Sequence, residues 1–252
     1  MHVDMHVEQY GNGPRTFLAF HGWGGDHREF APLAARLPDD ARLLSVDLPG
    51  YGQSPKPPRW DLAEIVGEII RDMDERGLND VTLVGFCSGA VMALLVAQQI
   101  PARVARIVMI DPFAFLPWYF RIFVAGEFGR RAYRATFASP LGRRITTWVL
   151  RRRQSTDDDF MGAFGRVDHE VTQRWLELFH RVGRADQFRA LAMPIDIASG
   201  ERTFAAVRES VREYCAIWPH ARTFELRHVG HLPLVRGARQ LADLIFAGPG
   251  SP

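Results

Sequence analysis

The sequence predicts an α/β fold, a mostly parallel sheet flanked by helices on both faces and interrupted by a helical insertion. Three observations carry this. Short apolar runs alternate with stretches of helical periodicity from residue 15 to residue 110. The alternation stops at Asp111-Pro112 and gives way to an aromatic, arginine-rich stretch with no convincing strand. It then resumes from residue 195 to residue 246. Strands that read as continuous apolar runs belong to sheets covered on both faces.

Residues 1–8 and 15–20 are expected to pair as a hairpin around Tyr10-Gly11-Asn12-Gly13-Pro14. Arg28 to Leu37 reads as a helix, and Arg42 to Val46 as a short buried strand ending at Asp47-Leu48-Pro49-Gly50. In 61–76, Leu62, Ile65, Val66, Ile69, Ile70 and Met73 share one helical face, and Gly77 stops the helix. A strand at 81–85, a helix at 88–100 ended by Pro101 and a strand at 104–110 follow. From 113 to 190 the chain is expected to be a helical lid, with Ser155-Thr156-Asp157-Asp158-Asp159 starting one of its helices through a capping hydroxyl and first-turn acids. The remaining elements are a strand at 195–199, a helix near 204–217, a strand at 222–226 and a helix near 234–246. The organisation is thus a core of 1–112 and 191–247, a lid of 113–190 and a flexible tail of 248–252.

Composition narrows the function classes. The chain has 252 residues, enough for one sizeable core, and a formal net charge of +2, too small to imply nucleic acid. Lys56 is the only lysine beside 30 arginines, a bias that a GC-rich genome also produces. The two cysteines, Cys87 and Cys215, make no disulfide scaffold and fit a cytoplasmic protein. The first residues lack the apolar core of a signal peptide, and no apolar run is long enough for a membrane span. No residue set calls for a cofactor or a metal. Arg151-Arg152-Arg153 reads as a solvated helix end.

Three segments carry chemistry: Phe20-His21-Gly22-Trp23-Gly24-Gly25 after a strand, Gly85-Phe86-Cys87-Ser88-Gly89 between strand and helix, and Val229-Gly230-His231-Leu232-Pro233 after the last strand. With Asp47-Leu48-Pro49-Gly50-Tyr51-Gly52-Gln53-Ser54 they resemble the α/β-hydrolase superfamily, in its order and spacing and over essentially the whole chain. The arrangement is similar to single-domain esterases with a lid, such as the pimeloyl-ACP methyl ester esterases. The Gly-x-nucleophile-x-Gly turn displays its central residue above the sheet. That frame selects Cys87. Centring it on Ser88 would put Phe86 where a small residue belongs. The resemblance implies His231 as general base, with His228 as the competitor three residues earlier, and oxyanion donors at the backbone N–H groups of Trp23 and Ser88. His21, Gly22, Phe86, Phe113 and Trp118 are expected to line the substrate pocket.

The sequence departs from the family pattern at the acid. After strand 195–199 the family reads Gly-x-x-Asp, and here Thr203 holds the acid position. Asp111, Glu201 or no acid at all remain as readings. A thiol starts closer to ionised than a hydroxyl, so a Cys–His pair has less need of a strong orienter. Cysteine also makes the acyl-enzyme a thioester, and elbow cysteines occur in relatives that transfer or cyclise acyl groups. The expectation is therefore an acyl-transfer enzyme, an acyltransferase, cyclase or thioesterase-like protein acting through Cys87 on an apolar acyl substrate. Its alternatives are a plain carboxylesterase or thioesterase, and a non-catalytic ligand-binding homologue. The substrate is a small acyl compound, with a carrier-protein or CoA linkage open. Arg121, Arg130, Arg131 and Arg134 are the residues placed to meet a carrier or its phosphate.

Overall fold

A computed structural model describes residues 4–153 and 163–247. Seven strands form one sheet: β1 (Val7–Tyr10), β2 (Arg15–Phe20), β3 (Ala41–Val46), β4 (Val81–Phe86), β5 (Val104–Ile110), β6 (Ile195–Gly200) and β7 (Arg222–Leu226). Their order across the sheet is β1-β3-β2-β4-β5-β6-β7. Only β1 runs antiparallel to its neighbour.

The helices are α1 (Ala31–Ala34), α2 (Leu62–Glu75), α3 (Ser88–Gln99), α4 (Trp118–Arg121), α5 (Gly126–Tyr133), α6 (Pro140–Arg153), α7 (His169–Arg181), α8 (Ala205–Ile217), α9 (Pro233–Arg236) and α10 (Ala238–Phe246). Strand side chains alternate between two cores. Leu18, Phe20, Leu83, Ile107 and Met109 enter the cluster that includes α2 and α3. Phe17, Ala19, Val84, Val108 and Ile110 enter the cluster on the opposite face, beneath α10. Two covered faces are why these strands read as unbroken apolar runs. α3 is buried nearly all round, as a helix between sheet and neighbouring helices must be.

Three expectations about the core are corrected. The N-terminal hairpin does not form, because β3 lies between β1 and β2. The 11–14 link packs over the start of β3, where Gly13 N–H donates to Ala41 O at 3.1 Å and Arg15 N–H donates to Asp40 O at 3.1 Å. β1 therefore pairs with β3, Val7 opposite Val46. The helix expected at 28–37 is a 3-10 turn, His27–Phe30, capped by the Asp26 side chain, followed by the one-turn α1. The last helix is broken at Gly237 into α9 and α10.

The end of the sheet remote from the strand C-termini is tied by a buried ion cluster. Asp196 on β6 is fully buried and accepts from Arg106 Nε on β5 at 2.6 Å and from Arg222 Nε on β7 at 2.7 Å. Arg106 also donates to the carbonyls of Leu244 and Ile245, the last turn of α10. Between β5 and β6 the described residues form helices only, α4 to α7 with short 3-10 and π turns. This segment has its own small core of Tyr133, Phe137 and Phe164, with Trp23 packed into it. The helix start at 155–159 and the tail at 248–252 lie outside the described residues.

Candidate functional site

The site assembles where β4, β5 and β6 end. Cys87 joins β4 to α3 with φ 54° and ψ −116°, a conformation that L side chains rarely adopt. Its backbone is pinned by Cys87 N–H to Ile110 O at 2.9 Å and Ala90 N–H to Cys87 O at 3.2 Å. Both glycines of the frame are needed for close approach. A Cβ at Gly85 would stand 2.3 Å from Ala90 Cα, and one at Gly89 would stand 2.0 Å from Phe20 O. The turn thus presses α3 onto the sheet and holds the Cys87 side chain, half-buried, at the wall of a cleft.

His231 follows β7 and is buried, with rings of Phe86, Phe113 and Phe204 around it at centroid distances of 5.6, 5.7 and 4.6 Å. Its Nδ1 lies 2.8 Å from Asp111 Oδ2, and the Cys87 side chain is near enough to favour its protonated form. Burial works to lower the imidazole pKa, but the interactions with Asp111 and Cys87 outweigh it and push the group up to about 10.

Asp111 ends β5 and is fully buried at φ 45°, a second strained residue at the site. Its carboxylate is held on both oxygens: Gly200 N–H donates to Oδ1 at 2.9 Å and Thr203 Oγ1 donates to Oδ2 at 2.7 Å. Thr203, at the position where the resemblance expects the acid, instead supplies a hydroxyl to an acid on the neighbouring strand. The rival residues occupy each other. His228 N–H donates to Glu201 Oε2 at 2.7 Å, and their side chains approach to 3.7 Å in a largely exposed pair.

The turn Gly22-Trp23 lies against the elbow, a Cβ at Gly22 falling 3.3 Å from Cys87 Cβ. Gly22 N–H donates to Glu29 Oε2 at 2.9 Å. Burial pushes the Glu29 carboxyl up to about 7, against the opposing pull of that N–H. The Trp23 indole N–H donates to Thr172 O at 2.7 Å, and its ring packs on Phe120, Phe137 and Phe164, locking the turn to the helical segment.

The cleft holds about 690 Å³ of non-protein space, part of it open solvent. Trp23, Cys87 and Ser88 line it, and of the five residues expected in the pocket Phe113 does. Four other expectations are corrected. His21 is fully buried away from the cleft, where its Nε2 accepts from Leu48 N–H at 3.0 Å and braces β2 against β3. Gly22 serves the close approach of the turn, and Phe86 packs behind His231 in the core. Trp118 is 80% exposed on the outside of α4. The lining that sequence reading missed comes from Val91 on α3, Leu176 and Phe179 on α7, and Phe188. Helical periodicity in α7 was the available signal. The hydroxyl of Ser88 has no hydrogen-bond partner among the described residues.

One cluster away from the cleft has metal-ligand residue types: His6, His27 and Asp47. Asp47 is already engaged, accepting from His27 Nδ1 at 2.9 Å and from Gln53 N–H at 2.8 Å. It reads as a bracket for the loop after β3.

A parallel sheet with a strained strand–turn–helix cysteine, a histidine after the last strand and a buried aspartate between them defines a hydrolase architecture. Residues 15–238 match the family model of the alpha/beta hydrolase fold, and the chain belongs to that family. Among curated proteins, Lipase LipV of Mycobacterium tuberculosis is 34% identical over 113 residues, 44% of this chain and 43% of the relative. A pimeloyl-[acyl-carrier protein] methyl ester esterase of Vibrio campbellii is 30% identical over 110 residues, 44% of this chain and 41% of the relative. The matched region thus spans less than half the length of these relatives. Among solved structures, a thermophilic esterase from Thermogutta terrifontis superposes with a TM-score of 0.78 at 18% identity, covering 97% of this chain and 92% of that one. The enol-lactonase from Burkholderia xenovorans gives 0.74 at 18% identity, covering 97% and 96%. At such identity the two structures speak for the fold alone.

Proposed function

We propose that this protein is an esterase or thioesterase that hydrolyses esters of apolar acyl groups through Cys87, His231 and Asp111. The observation that carries the reading is the buried Asp111–His231 hydrogen bond beside Cys87, at the wall of an apolar cleft. A histidine that keeps its proton favours a thiolate beside it. The thiolate attacks the substrate carbonyl, and the developing oxyanion meets the backbone N–H groups of Trp23 and Ser88. His231 gives its proton to the leaving alcohol or thiol, leaving an acyl-Cys87 thioester. The neutral imidazole then takes a proton from water, the hydroxide attacks the thioester, and the carboxylic acid and the thiolate–imidazolium pair are released.

The expected acyl transfer gives way to hydrolysis in this reading. Relatives that are named an esterase and a lipase support a water acceptor. The non-catalytic reading is disfavoured by the Asp111–His231 pair, which a bare binding pocket has no use for. A CoA- or carrier-linked acyl group has support from the names of relatives alone. Two free cysteines agree with a reducing compartment such as the cytoplasm.

Intact-mass spectrometry with an activated acyl ester tests the reading. A transient acyl adduct is expected that Cys87→Ala abolishes and Ser88→Ala retains. Product analysis with and without amine or alcohol acceptors then separates hydrolysis from transfer. An adduct on Ser88, or undiminished turnover by Cys87→Ala, would sink the mechanism.

A further inference from the structure

The helical segment between β5 and β6 carries two features that the site does not use. The first is charge. Residues 118–153 hold nine arginines and one acid, Glu127, a net charge of +8, while the other 216 residues hold 22 basic and 28 acidic groups, net −6. The second is exposed apolar surface. Of the eight large apolar side chains exposed among the described residues, seven lie between 118 and 148, and the eighth is Val235. A soluble surface scatters such residues singly. Here they coincide with the basic segment.

α6 shows the pattern most clearly. Among its residues of described burial, Pro140, Leu141, Arg144, Ile145 and Trp148 are exposed, the last four at the spacing of a single helical face. Leu141 is 65% exposed, Ile145 54% and Trp148 55%. The positions turned toward the protein are Gly142, Arg143, Thr146 and Thr147. A Cβ at Gly142 would stand 1.9 Å from Ala135 O, so this is the packed face. Arg143 Nη1 donates from it to the carbonyls of Phe137 and Ala138 at 3.0 and 2.8 Å. The amphipathicity is inverted: polar side chains pack and apolar ones face outward. Phe128, 66% exposed on α5, stands beside Arg130 and Arg131 in the same manner.

We propose that this face docks on an anionic lipid surface. Bulky apolar side chains set among arginines are the composition of helices that lie in a membrane interface. The charge complements acidic headgroups, and only the apolar residues need enter the acyl region. The side chains protrude rather than line the cleft, which suits a deformable medium better than the preformed pocket of a protein partner. No described helix is long and apolar enough to cross a membrane, so the contact is peripheral. The face also borders the cleft: Leu116, Pro117 and Phe120 line it, and Trp118 lies among them in sequence, pointing out. A docked molecule would hold its cleft near the acyl chains. The inference does not depend on the chemistry at Cys87.

Co-sedimentation with vesicles of phosphatidylcholine containing about one third phosphatidylserine tests it, with pure phosphatidylcholine as control. Binding is expected to the anionic vesicles only. It should fall about tenfold or more for Leu141→Ser/Ile145→Ser and for Arg144→Glu, and in ~0.5 M salt. Hydrolysis of a soluble short-chain ester should stay unchanged in both variants, which also reports that they fold. No binding to anionic vesicles at low salt overturns the proposal. So does binding that ignores Leu141→Ser/Ile145→Ser, since adsorption of an arginine-rich chain needs no apolar face. A dimer in analytical ultracentrifugation that these serines dissolve, without vesicle binding, assigns the face to a second copy. Capture by an acidic protein without vesicle binding assigns it to a protein partner. Either result overturns the lipid assignment.

Discussion

Asp111→Asn tests the site most sharply, because the structure dictates what the amide will do. Gly200 N–H donates to Oδ1 of residue 111, so the amide oxygen is retained there and the NH2 group takes the place of Oδ2. That NH2 faces His231 Nδ1, which accepts its proton only as the tautomer with hydrogen on Nε2. The nitrogen toward Cys87 then carries a proton and cannot take another. Raising His231 from 6.5 to about 10 represents about 5 kcal/mol in favour of the imidazolium, at 1.36 kcal/mol per pKa unit. That is the net after the opposing effect of burial, so Asp111's part is taken from the usual worth of a hydrogen bond to a charged group, about 1.5–3 kcal/mol. Acylation should slow about 10- to 150-fold. The assay is stopped-flow acylation by an activated thioester, with the pH profile of Cys87 alkylation alongside. Adding Thr203→Asp puts a carboxylate where the Thr203 oxygen lies 3.4 Å from Nδ1 and should restore about tenfold. Stability gives an independent readout. The folded-state value of His231 lies above its unfolded value, so its contribution is whole below pH 6.5 and is lost as pH rises toward about 10. The melting temperature should fall over that interval, and the slope should flatten in Asp111→Asn. A variant within threefold of the wild-type rate, with an unchanged alkylation profile, would refute the reasoning.

Two further predictions concern buried charge. Glu29, raised to about 7, binds its proton more tightly folded than unfolded, so stability falls between pH 4.5 and 7 as the site must ionise. Glu29→Gln keeps a carbonyl for Gly22 N–H. It should raise the melting temperature at pH 8, by about 1–3 kcal/mol in unfolding free energy, and leave it unchanged near pH 4.5. Equal melting curves at pH 8 would refute the burial argument. Asp196→Ala leaves Arg106 buried and uncompensated, so denaturant unfolding should show a loss of about 3–5 kcal/mol. A loss under 1 kcal/mol would mean that the α10 carbonyls alone satisfy Arg106.

The core was readable where one physical signal dominated. Apolar runs located β2 to β6 because both faces of the sheet are covered there, and the Gly85-x-Cys87-x-Gly89 frame located the elbow because only glycine permits the contacts to Ala90 and Phe20. Partner choice was not readable. The alternation in β1 and the turn at 10–14 suit a hairpin, yet pairing with β3 is decided by how the link packs on residues 40 and 41, a contact distant in sequence. The cleft was half readable for the same reason. Phe113 follows a strand that already pointed to the site, whereas Phe179, Phe188 and Leu176 reach it only through the path of the helical segment. Trp118 was misplaced because aromatic content alone does not say which rings are buried, and this one is 80% exposed.

The acid shows how a motif can mislead when read position by position. Thr203 in place of Asp looks like a loss, and it suggested a cysteine compensating for a missing orienter. Under the proposed function the hydrogen bonds of Asp111 support a relocation instead. The carboxylate comes from β5, one strand nearer the elbow, and Thr203 donates to it from the place the acid vacated. Threonine is the residue the relocation requires. A second carboxylate there would face Asp111 across a 2.7 Å contact and raise the pKa of one of them. An alanine would leave buried Asp111 Oδ2 with the histidine alone. The cysteine therefore needs no explanation by a missing acid. What remains to explain it is the chemistry of the acyl-enzyme, a thioester more open to attack than an oxygen ester, and the product analysis with competing acceptors bears directly on that choice.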